Sequence, residues 1–265
     1  MYQQPMTTPG GLARRTPTPE GRPSRPMAEV QTEIPVSREP TAAPRMVRPR
    51  ARSEIATRAL NIAIAGTALA LASPIMVAAA ILVKLTSRGP IFYTQTRVGE
   101  DRRRRRDAVH LYDRRARDVG GRPFAIYKFR SMTVDAEKKS GAVWAVKGDP
   151  RVTPVGRVMR LTRIDELPQL INVLKGDMNI VGPRPERPGI FSRLREDIAE
   201  YPLRQLARPG ITGWAQINHN YDTCLDDVKT KVRYDLEYIE RQSIAEDLKI
   251  MARTVPVMLF RKGAH

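Results

Sequence analysis

The longest uninterrupted apolar stretch of the chain is "ALNIAIAGTALALASPIMVAAAILV", residues 59–83, which carries no charged side chain. As a helix it would cover roughly 37 Å, which is enough to cross a bilayer. Ser73 and Pro74 fall near its middle, where a proline removes a helical hydrogen bond and favours a kink or a break. The pattern predicts a membrane helix, with a buried core helix as the alternative.

Positive charge flanks this apolar segment on both sides. The flanking basic residues are Arg50, Arg52 and Arg58 before it, and Lys84, Arg88 and the arginines of 102–106 after it. Because basic flanks favour the cytoplasmic side, the charges predict a re-entrant helix over residues 53–88 that bends near Pro74. A helix that spans the membrane stays as an alternative, since the charge rule is only a bias.

Shorter patterns follow in the rest of the chain. Partial alternation with aromatic and β-branched residues predicts short strands at 90–99 and 123–132. Glycine and proline break residues 148–160 into a loop followed by a short element. The prolines of "VGPRPERPG", residues 181–189, predict a rigid turn, and residues 208–217 predict a loop followed by a strand-like piece.

Helical spacing returns near the C-terminus. Residues 227–242 place apolar side chains on one helix face. Residues 245–262 are apolar on one side and predict a helix that lies in the membrane interface or packs on the domain. The fold class that follows is α+β: a helix-rich, membrane-associated domain with a few short strands and a re-entrant, Pro-broken membrane helix hairpin.

Composition divides the chain of 265 residues further. Ten of its 22 prolines lie in residues 1–50, where large apolar residues are sparse, so residues 1–52 are predicted to be disordered. No apolar core of a secretory signal peptide occurs there. The globular domain is expected over 89–265, with an arginine-rich insert at 101–121.

The net charge of +18 calls for an anionic partner. Anionic lipid is favoured over nucleic acid, because the basic run at 102–106 lies beside the membrane segment and lacks interleaved aromatic residues. Cys224 is the only cysteine, which excludes an intramolecular disulfide and fits a cytosol-facing location. One cysteine and three scattered histidines do not suggest a zinc site.

Two adjacent acids stand out in "RLTRIDELPQLINVLKGD", residues 160–177. Apolar residues at helical spacing follow them, and Gly176 is a suitable C-terminal cap. Pro168 is tolerable only in a first turn, so the helix is predicted to begin close to Asp165. That start places Asp165 and Glu166 at an anion-attracting helix N-terminus, although Asp165 could equally be a plain cap.

Basic residues surround the acid pair in the sequence, and they are Arg160, Arg163, Arg184 and, from "KFR", Lys128 and Arg130. Carboxylates among such cations suit phosphoryl chemistry. One acid could attack phosphorus to form an aspartyl phosphate, and the other could hold Mg²⁺. The arginines would neutralise the phosphoryl oxygens.

Five motifs occur in a fixed order along the chain: "YKFRSM", "GDPRVTPVGRVMR", "DELPQLINVLKGDMNIVGPRPE", "RPGITGWAQI" and "YDLEYIERQS". Together they closely resemble the bacterial sugar transferases, the monotopic polyprenyl-phosphate phosphoglycosyl transferases. The resemblance covers about residues 55–262. It implies transfer of a sugar-1-phosphate from a UDP-sugar to undecaprenyl phosphate, with release of UMP, at the cytoplasmic face of the bacterial inner membrane. Such a reaction initiates an exopolysaccharide, a capsule or an O-antigen-type glycan.

The resemblance also implies roles for individual residues. Asp165 matches the covalent nucleophile, and Glu166 matches the residue that helps to bind Mg²⁺. The residues expected to contact phosphate or substrate are Lys128, Arg130, Arg160, Arg184, Arg208 and Asp235. Ser73 and Pro74 match the position at which the re-entrant helix of the family is broken.

Two departures and two alternatives accompany this interpretation. The arginine-rich insert is longer than the usual join, and the N-terminal tail replaces a multi-helix membrane region, so the chain is expected to be the short, catalytic-core form. A single-step transfer with Asp165 as a base is one alternative. A non-enzymatic basic protein that binds membranes or nucleic acid is the other. A homo-oligomer is left open.

Overall fold

The computed structural model describes residues 47–102, 120–134, 136, 149–219 and 224–260, without the side chains of 258–260. The helices are α1 Glu54–Thr86, α2 Pro154–Leu161, α3 Gln169–Lys175, α4 Pro188–Asp197, α5 Trp214–Asn218, α6 Leu225–Arg241 and α7 Ile244–Phe260. The strands are β1 Phe92–Val98, β2 Pro123–Phe129, β3 Asn179–Val181 and β4 Gly210–Thr212. Short 3-10 helices lie at Ile164–Glu166 and Tyr201–Leu206. The predicted tail and insert fall largely outside the described residues.

The strands form two small sheets within the described part of the chain. β1 and β2 are antiparallel, with Phe92 opposite Phe129, and β3 and β4 are parallel, with Asn179 opposite Gly210. The two predicted strands are therefore confirmed, and the α+β class is consistent with the structure. The strand-like piece predicted after Arg208 is β4, which lasts three residues before the chain turns into α5.

The apolar segment forms one helix, α1, that continues through Ser73 and Pro74. Pro74 cannot donate a hydrogen bond to the Ala70 carbonyl, and the Ser73 hydroxyl donates to that carbonyl instead, at 2.8 Å. The helical structure therefore continues through the position where a break was predicted. By its length and mean hydropathy of 2.2, α1 is long and apolar enough to cross a membrane.

Both ends of α1 pack on the same globular domain. In its first half Thr57, Asn61 and Ala65 are buried at i, i+4 and i+8 spacing, and the Ile180 amide donates to Asn61 Oδ1 at 2.6 Å. In its second half Ala79 and Val83 pack with Phe129 and Met159. The middle is exposed, with Leu71 76% accessible. α1 thus has an exposed apolar middle, and both of its ends pack on the domain.

The predicted C-terminal helices are both present. Val232, Leu236 and Ile239 of α6 are buried in the main core, as their spacing predicts. Ile250 of α7 is also fully buried, so α7 packs on the domain over this part, which is one of the two alternatives. Farther along α7, Val255 is 58% exposed.

α2 leads directly to the acid pair and is held close to β2. Thr153 caps it by accepting from the Gly156 amide at 2.9 Å, and Pro154 occupies the first turn. A Cβ atom at Gly156 would overlap the Ser131 backbone. Glycine is therefore required here by the close approach of the two segments.

Gly156→Ala should destabilise the protein, and Gly189→Ala should not. Alanine favours a helix, but at Gly156 its methyl group meets a backbone that cannot move cheaply, so we expect a net loss of about 1–3 kcal/mol. Gly189 has open space around the same position, so alanine there should gain about 0.4–1 kcal/mol. Denaturant unfolding in detergent, followed by circular dichroism, measures both. Equal stabilities for the two variants would contradict the packing described for α2.

Candidate active site

The acid pair lies in a 3-10 turn that precedes α3. Arg163 begins this turn with a left-handed backbone (φ 60°), and Ile164–Glu166 form the turn itself. α3 begins later, at Gln169, with Pro168 as its N-cap residue. The predicted helix start near Asp165 is therefore one turn too early, whereas Gly176 is confirmed as the C-terminal cap, with φ 86°.

The shifted start changes the electrostatic argument. The amides of Glu166, Leu167, Leu170 and Ile171 each donate to the carbonyl three residues earlier. These donors are satisfied internally, so they do not form the ring of open N–H groups that a helix N-terminus offers to an anion. The cationic side chains around the acid pair are the clearer source of attraction for a phosphate at this site.

Glu166 is the centre of an ion cluster. Its Oε1 atom accepts hydrogen bonds from Lys128 Nζ, at 2.8 Å, and from Arg184 Nη2, while Oε2 accepts from Arg184 Nη1 at 3.2 Å. Burial would raise the pKa of the Glu166 carboxyl, but Arg184 and Lys128 together outweigh burial and hold that pKa well below its usual range. Glu166 is thus a fixed anion that orients two cations.

Asp165 has the opposite character. It is only 7% exposed, and its Oδ1 atom is buried without a hydrogen-bond partner. Burial, reinforced by the neighbouring Glu166 charge, raises the pKa of Asp165 to about 6, although Lys128, Arg160 and Arg184 oppose the rise. Asp165 therefore presents a buried carboxylate oxygen without a hydrogen-bond partner, close to three cationic side chains.

The structure brings four of the predicted residues together with Asp165. Lys128 and Arg184 contact Glu166 directly, and Arg160 lies within electrostatic reach of Asp165. Burial lowers the pKa of the Lys128 ammonium, and the Glu166 charge opposes that shift. The two acids and three cations form a compact site between β2, α2 and the proline-rich turn.

Arg130 lies at the end of α1. Its Nη2 atom donates to the Ser87 carbonyl at 2.8 Å and to the Ser87 hydroxyl at 2.6 Å, so it ties the exit of α1 to β2. Its Nε and Nη1 atoms are buried without a partner. The role of Arg130 in binding a phosphate stays a prediction.

Arg208 lies apart from the acid pair. Its Nη2 atom is 3.4 Å from Glu100 Oε2, and with Arg58 it lines a cleft beside the start of α1. Arg58 donates to the Val173 and Leu174 carbonyls at the C-terminal end of α3, whereas the acid pair precedes the N-terminal end of α3. The structure therefore does not join Arg208 to the other predicted residues.

Asp235 is buried in the core of the domain. It is 1% exposed on α6, and its Oδ2 atom is 2.6 Å from Arg204 Nε. Asp235 is thus one partner of a buried ion pair, and its role in binding substrate stays a prediction. Arg204 was not singled out by the sequence, since its partner is 31 residues away.

Two further residues at the site were missed by sequence reasoning. Arg97 on β1 donates to the Pro185 carbonyl at 3.1 Å and so contacts the turn that carries Arg184. Gln169 is 1% exposed, and its Nε2 atom has no partner although it lies one turn after Asp165. The alternation of β1 could have indicated an inward Arg97, but no pattern distinguishes Gln169 from an ordinary helical residue.

A Mg²⁺ ion has few protein ligands available here. Within the described residues no group of three or more acidic, histidine or cysteine side chains could hold a metal. Three donated hydrogen bonds leave Glu166 about one of its four acceptor positions, and Asp165 Oδ1 is unpartnered. Such a set fits Mg²⁺ only if water and substrate phosphates complete the coordination. The Mg²⁺ role of Glu166 stays a prediction.

The site is therefore an acid pair of unequal pKa set among arginine and lysine side chains. The model of the family described as "Bacterial sugar transferase" matches residues 52–261, and this chain belongs to that family.

Three relatives illustrate the similarity. The UDP-N-acetylgalactosamine-undecaprenyl-phosphate N-acetylgalactosaminephosphotransferase of Aeromonas hydrophila is 42% identical over 208 residues, 78% of this chain and 44% of the relative. The UDP-glucose:undecaprenyl-phosphate glucose-1-phosphate transferase of Caulobacter vibrioides is 37% identical over 219 residues, 82% of this chain and 74% of the relative. The exopolysaccharide production protein PSS of Rhizobium leguminosarum is 36% identical over 209 residues, 77% of this chain and 95% of the relative. The chain thus spans less than half of the Aeromonas relative and nearly all of the Rhizobium one.

Asp165→Asn should stabilise the protein at neutral pH. The pKa of Asp165 is raised from 3.8 to about 6, so the folded state binds the extra proton between these values and loses stability as the pH rises through them. Asparagine carries no charge and avoids this loss. The pKa differs by about two between the folded and unfolded states, and each pKa unit corresponds to about 1.4 kcal/mol. Above pH 6 the free energy of unfolding of Asp165→Asn should therefore exceed that of wild type by up to roughly 3 kcal/mol.

Denaturant unfolding of wild type and Asp165→Asn at several pH values tests this gain. The difference in unfolding free energy should be largest above pH 6 and should vanish below about pH 4. Asp226→Asn is the matched control, because Asp226 is exposed on α6 and its replacement should change stability little at any pH. A pH-independent difference for Asp165→Asn would contradict the raised pKa.

Proposed function

We propose that this protein transfers a sugar-1-phosphate from a UDP-sugar to undecaprenyl phosphate through a covalent intermediate on Asp165, and so begins the assembly of a bacterial glycan. The observation that carries the proposal is the division of labour between the two acids. Glu166 takes the direct hydrogen bonds of Lys128 and Arg184, which leaves an oxygen of Asp165 buried, unpartnered and next to the same cations. The names of the relatives support the substrate classes.

The transfer divides into two displacements at one phosphorus atom. In the first, an Asp165 oxygen bonds to the sugar-bearing phosphorus of the UDP-sugar, the bond from that phosphorus to the bridging oxygen breaks, and UMP leaves with the bridging oxygen. In the second, an oxygen of undecaprenyl phosphate bonds to the same phosphorus and the bond to Asp165 breaks. The product is an undecaprenyl-diphosphate sugar, and Asp165 is regenerated.

The basic side chains would stabilise both displacements. Arg184 is one-third exposed on its side chain, so it can contact a phosphoryl oxygen while it still binds Glu166. Lys128 and Arg160 add positive charge beside the reacting phosphorus. Mg²⁺, held by Glu166 and the diphosphate, would neutralise charge on the leaving UMP.

Purified protein tests the covalent step directly. With a UDP-sugar and no acceptor, wild type should release one equivalent of UMP per active site and become phosphosugar-labelled at Asp165. Asp165→Asn should release none and show no label, with a loss of turnover of at least about 10³-fold, because the nucleophile is gone. Asp226→Asn, on the exposed face of α6, should behave as wild type.

Different outcomes separate the alternatives. Release of UMP only when undecaprenyl phosphate is present, with ternary-complex kinetics, would replace the covalent route with a single-step transfer. Turnover by Asp165→Asn would exclude both routes. A panel of UDP-sugars with undecaprenyl phosphate, monitored by UMP release, identifies the sugar.

We also propose that α1 is re-entrant and seats the site at the cytoplasmic surface of the inner membrane. Arg58 near one end donates to α3, and Ser87 after the other end accepts from Arg130, so both ends are tied to the same charged domain. If α1 spanned the membrane, one of these ends would lie beyond the hydrocarbon core, which is roughly 30 Å thick, and away from the domain to which both ends are tied. α2, which packs against α1, exposes Val158 and Leu161 and extends the apolar surface.

Cysteine labelling distinguishes the re-entrant path from the spanning one. Ala51→Cys and Arg88→Cys, made separately in a Cys224→Ser background, introduce thiols at exposed positions on either side of α1. In inverted membrane vesicles a membrane-impermeant maleimide should label both variants, and in spheroplasts it should label neither. Labelling of one variant from each side would support a spanning helix and overturn the proposed path.

A further inference from the structure

The turn that carries Arg184 is held from outside at four successive carbonyl groups. The Pro183 carbonyl accepts from the Gly210 amide at 3.0 Å, and the Pro185 carbonyl accepts from Arg97 at 3.1 Å. The Glu186 carbonyl accepts from the Val98 amide at 2.8 Å. Because the prolines cannot donate, the turn depends on donors supplied by other parts of the chain.

The fourth carbonyl, that of Arg184 itself, accepts from the side chain of Arg204. Arg204 Nη2 lies 3.0 Å from this oxygen, Nε lies 2.6 Å from Asp235 Oδ2, and Nη1 lies 2.9 Å from the Tyr201 hydroxyl. Arg204 is 1% exposed, and each of its three nitrogen atoms therefore has a partner. Its orientation is set by Asp235 and Tyr201, and its remaining donor points at the backbone of Arg184.

The connection continues to the acid pair. The Arg184 side chain, which starts from the backbone that Arg204 holds, donates to both oxygens of Glu166. Arg204 itself forms no hydrogen bond with Asp165 or Glu166. A displacement of the Arg184 backbone would move its guanidinium group away from Glu166 and from the position where a phosphate is expected.

We propose that Arg204 and Asp235 are positioning residues for the transfer: Asp235 orients Arg204, and Arg204 fixes the Arg184 backbone so that its guanidinium group meets the reacting phosphate. This role rests on the proposed function. It assigns Asp235 an indirect task in place of the substrate contact expected from the sequence. Stability alone explains the arrangement poorly, because a buried ion pair is often no more stable than an apolar packing of the same volume.

The chain contains a matched control for this cluster. Arg52, Asp247 and Tyr238 form a second buried set, with Arg52 Nη1 3.1 Å from Asp247 Oδ2 and the Tyr238 hydroxyl 2.7 Å from Asp247 Oδ1. The residue types are the same. The Tyr238 hydroxyl also lies 3.3 Å from the Val181 carbonyl, three residues before Arg184, but among the described residues no hydrogen bond joins Arg52, Tyr238 or Asp247 to the carbonyl groups of 183–186. Loss of either arginine removes a buried ion pair, whereas only loss of Arg204 releases Arg184.

Rapid-quench measurement of the UMP burst, without acceptor, is the test. Its amplitude counts folded active sites, and its rate constant reports the first displacement. Arg204→Lys keeps a positive charge near Asp235 but lacks the planar fork that reaches the Arg184 carbonyl as well. We expect a 10- to 100-fold lower rate constant at near-normal amplitude, since a misplacement of about 1 Å can cost 10²-fold. Arg52→Lys should keep the wild-type rate constant even where its amplitude or melting temperature falls.

A double-mutant cycle shows whether Arg204 acts through Arg184. In an Arg184→Lys background, Arg204→Lys should cost less than threefold further, whereas Arg52→Lys should behave as it does in wild type. If Arg204→Lys does not fold, Asp235→Asn removes the ion-pair partner of Arg204 instead, and Asp247→Asn, which removes the partner of Arg52, is its control. The burst rate constant should then fall for Asp235→Asn and not for Asp247→Asn. Additive losses, or a lower amplitude at the wild-type rate constant, would overturn the positioning role. Absence of a burst in the wild type would instead contradict the proposed function.

Discussion

The Glu166 carboxylate joins three parts of the chain that are distant in sequence. It accepts from Lys128 on β2 and from Arg184 in the proline-rich turn, and it lies beside Asp165 in its own 3-10 turn. Taking these charges out of water is costly, and their mutual attraction offsets the cost only when the pairing is complete. Once Glu166 satisfies the cations, the adjacent acid is left without a partner. Adjacent carboxylates whose surroundings drive their pKa values in opposite directions are a recurrent basis for assigning separate chemical roles.

The support for this cluster comes in layers. Arg204 and Arg97 hold the backbone of the turn that carries Arg184, and Asp235 in α6 orients Arg204. Packing is equally close at α2, where Gly156 lies against the Ser131 backbone. Rigid surroundings suit a site in which the orientation of cations toward a phosphate determines the rate.

The long apolar helix α1 is linked to the same parts of the structure. Arg58 binds the C-terminal carbonyl groups of α3, the helix that follows the acid pair. Arg130, which follows β2 and lies two residues after Lys128, binds Ser87 at the other end of α1. Each end of α1 is thus connected to an element that carries part of the site. The position of α1 and the geometry of the acid pair are therefore set together, as the proposed transfer to a lipid-borne acceptor requires.

Several elements could be predicted because their signals are local. The strands β1 and β2 and the helix α6 follow from side-chain periodicity, and Gly176 marks the end of α3 because few other residues adopt its positive φ. α4 and the 3-10 helix at Tyr201–Leu206 were not predicted, since prolines at their starts resemble those of a turn. The start of α3 was placed one turn early, because proline favours the first turn of a helix, whereas Pro168 is the N-cap residue that precedes it.

By itself the sequence determined that a helical segment, uncharged over residues 59–83, precedes a basic domain and that two acids lie among arginines and lysines. Apart from the family resemblance, it could not separate those acids, because Asp165 and Glu166 are adjacent and carry the same charge. Tertiary structure decided which one is paired, through contacts that span 38 residues to Lys128 and 18 to Arg184. It also paired Asp235 with Arg204 in the core and Arg208 with Glu100, at a distance from the acid pair. Burial and ion pairing depend on distances in space, and the order of residues along a chain does not specify them.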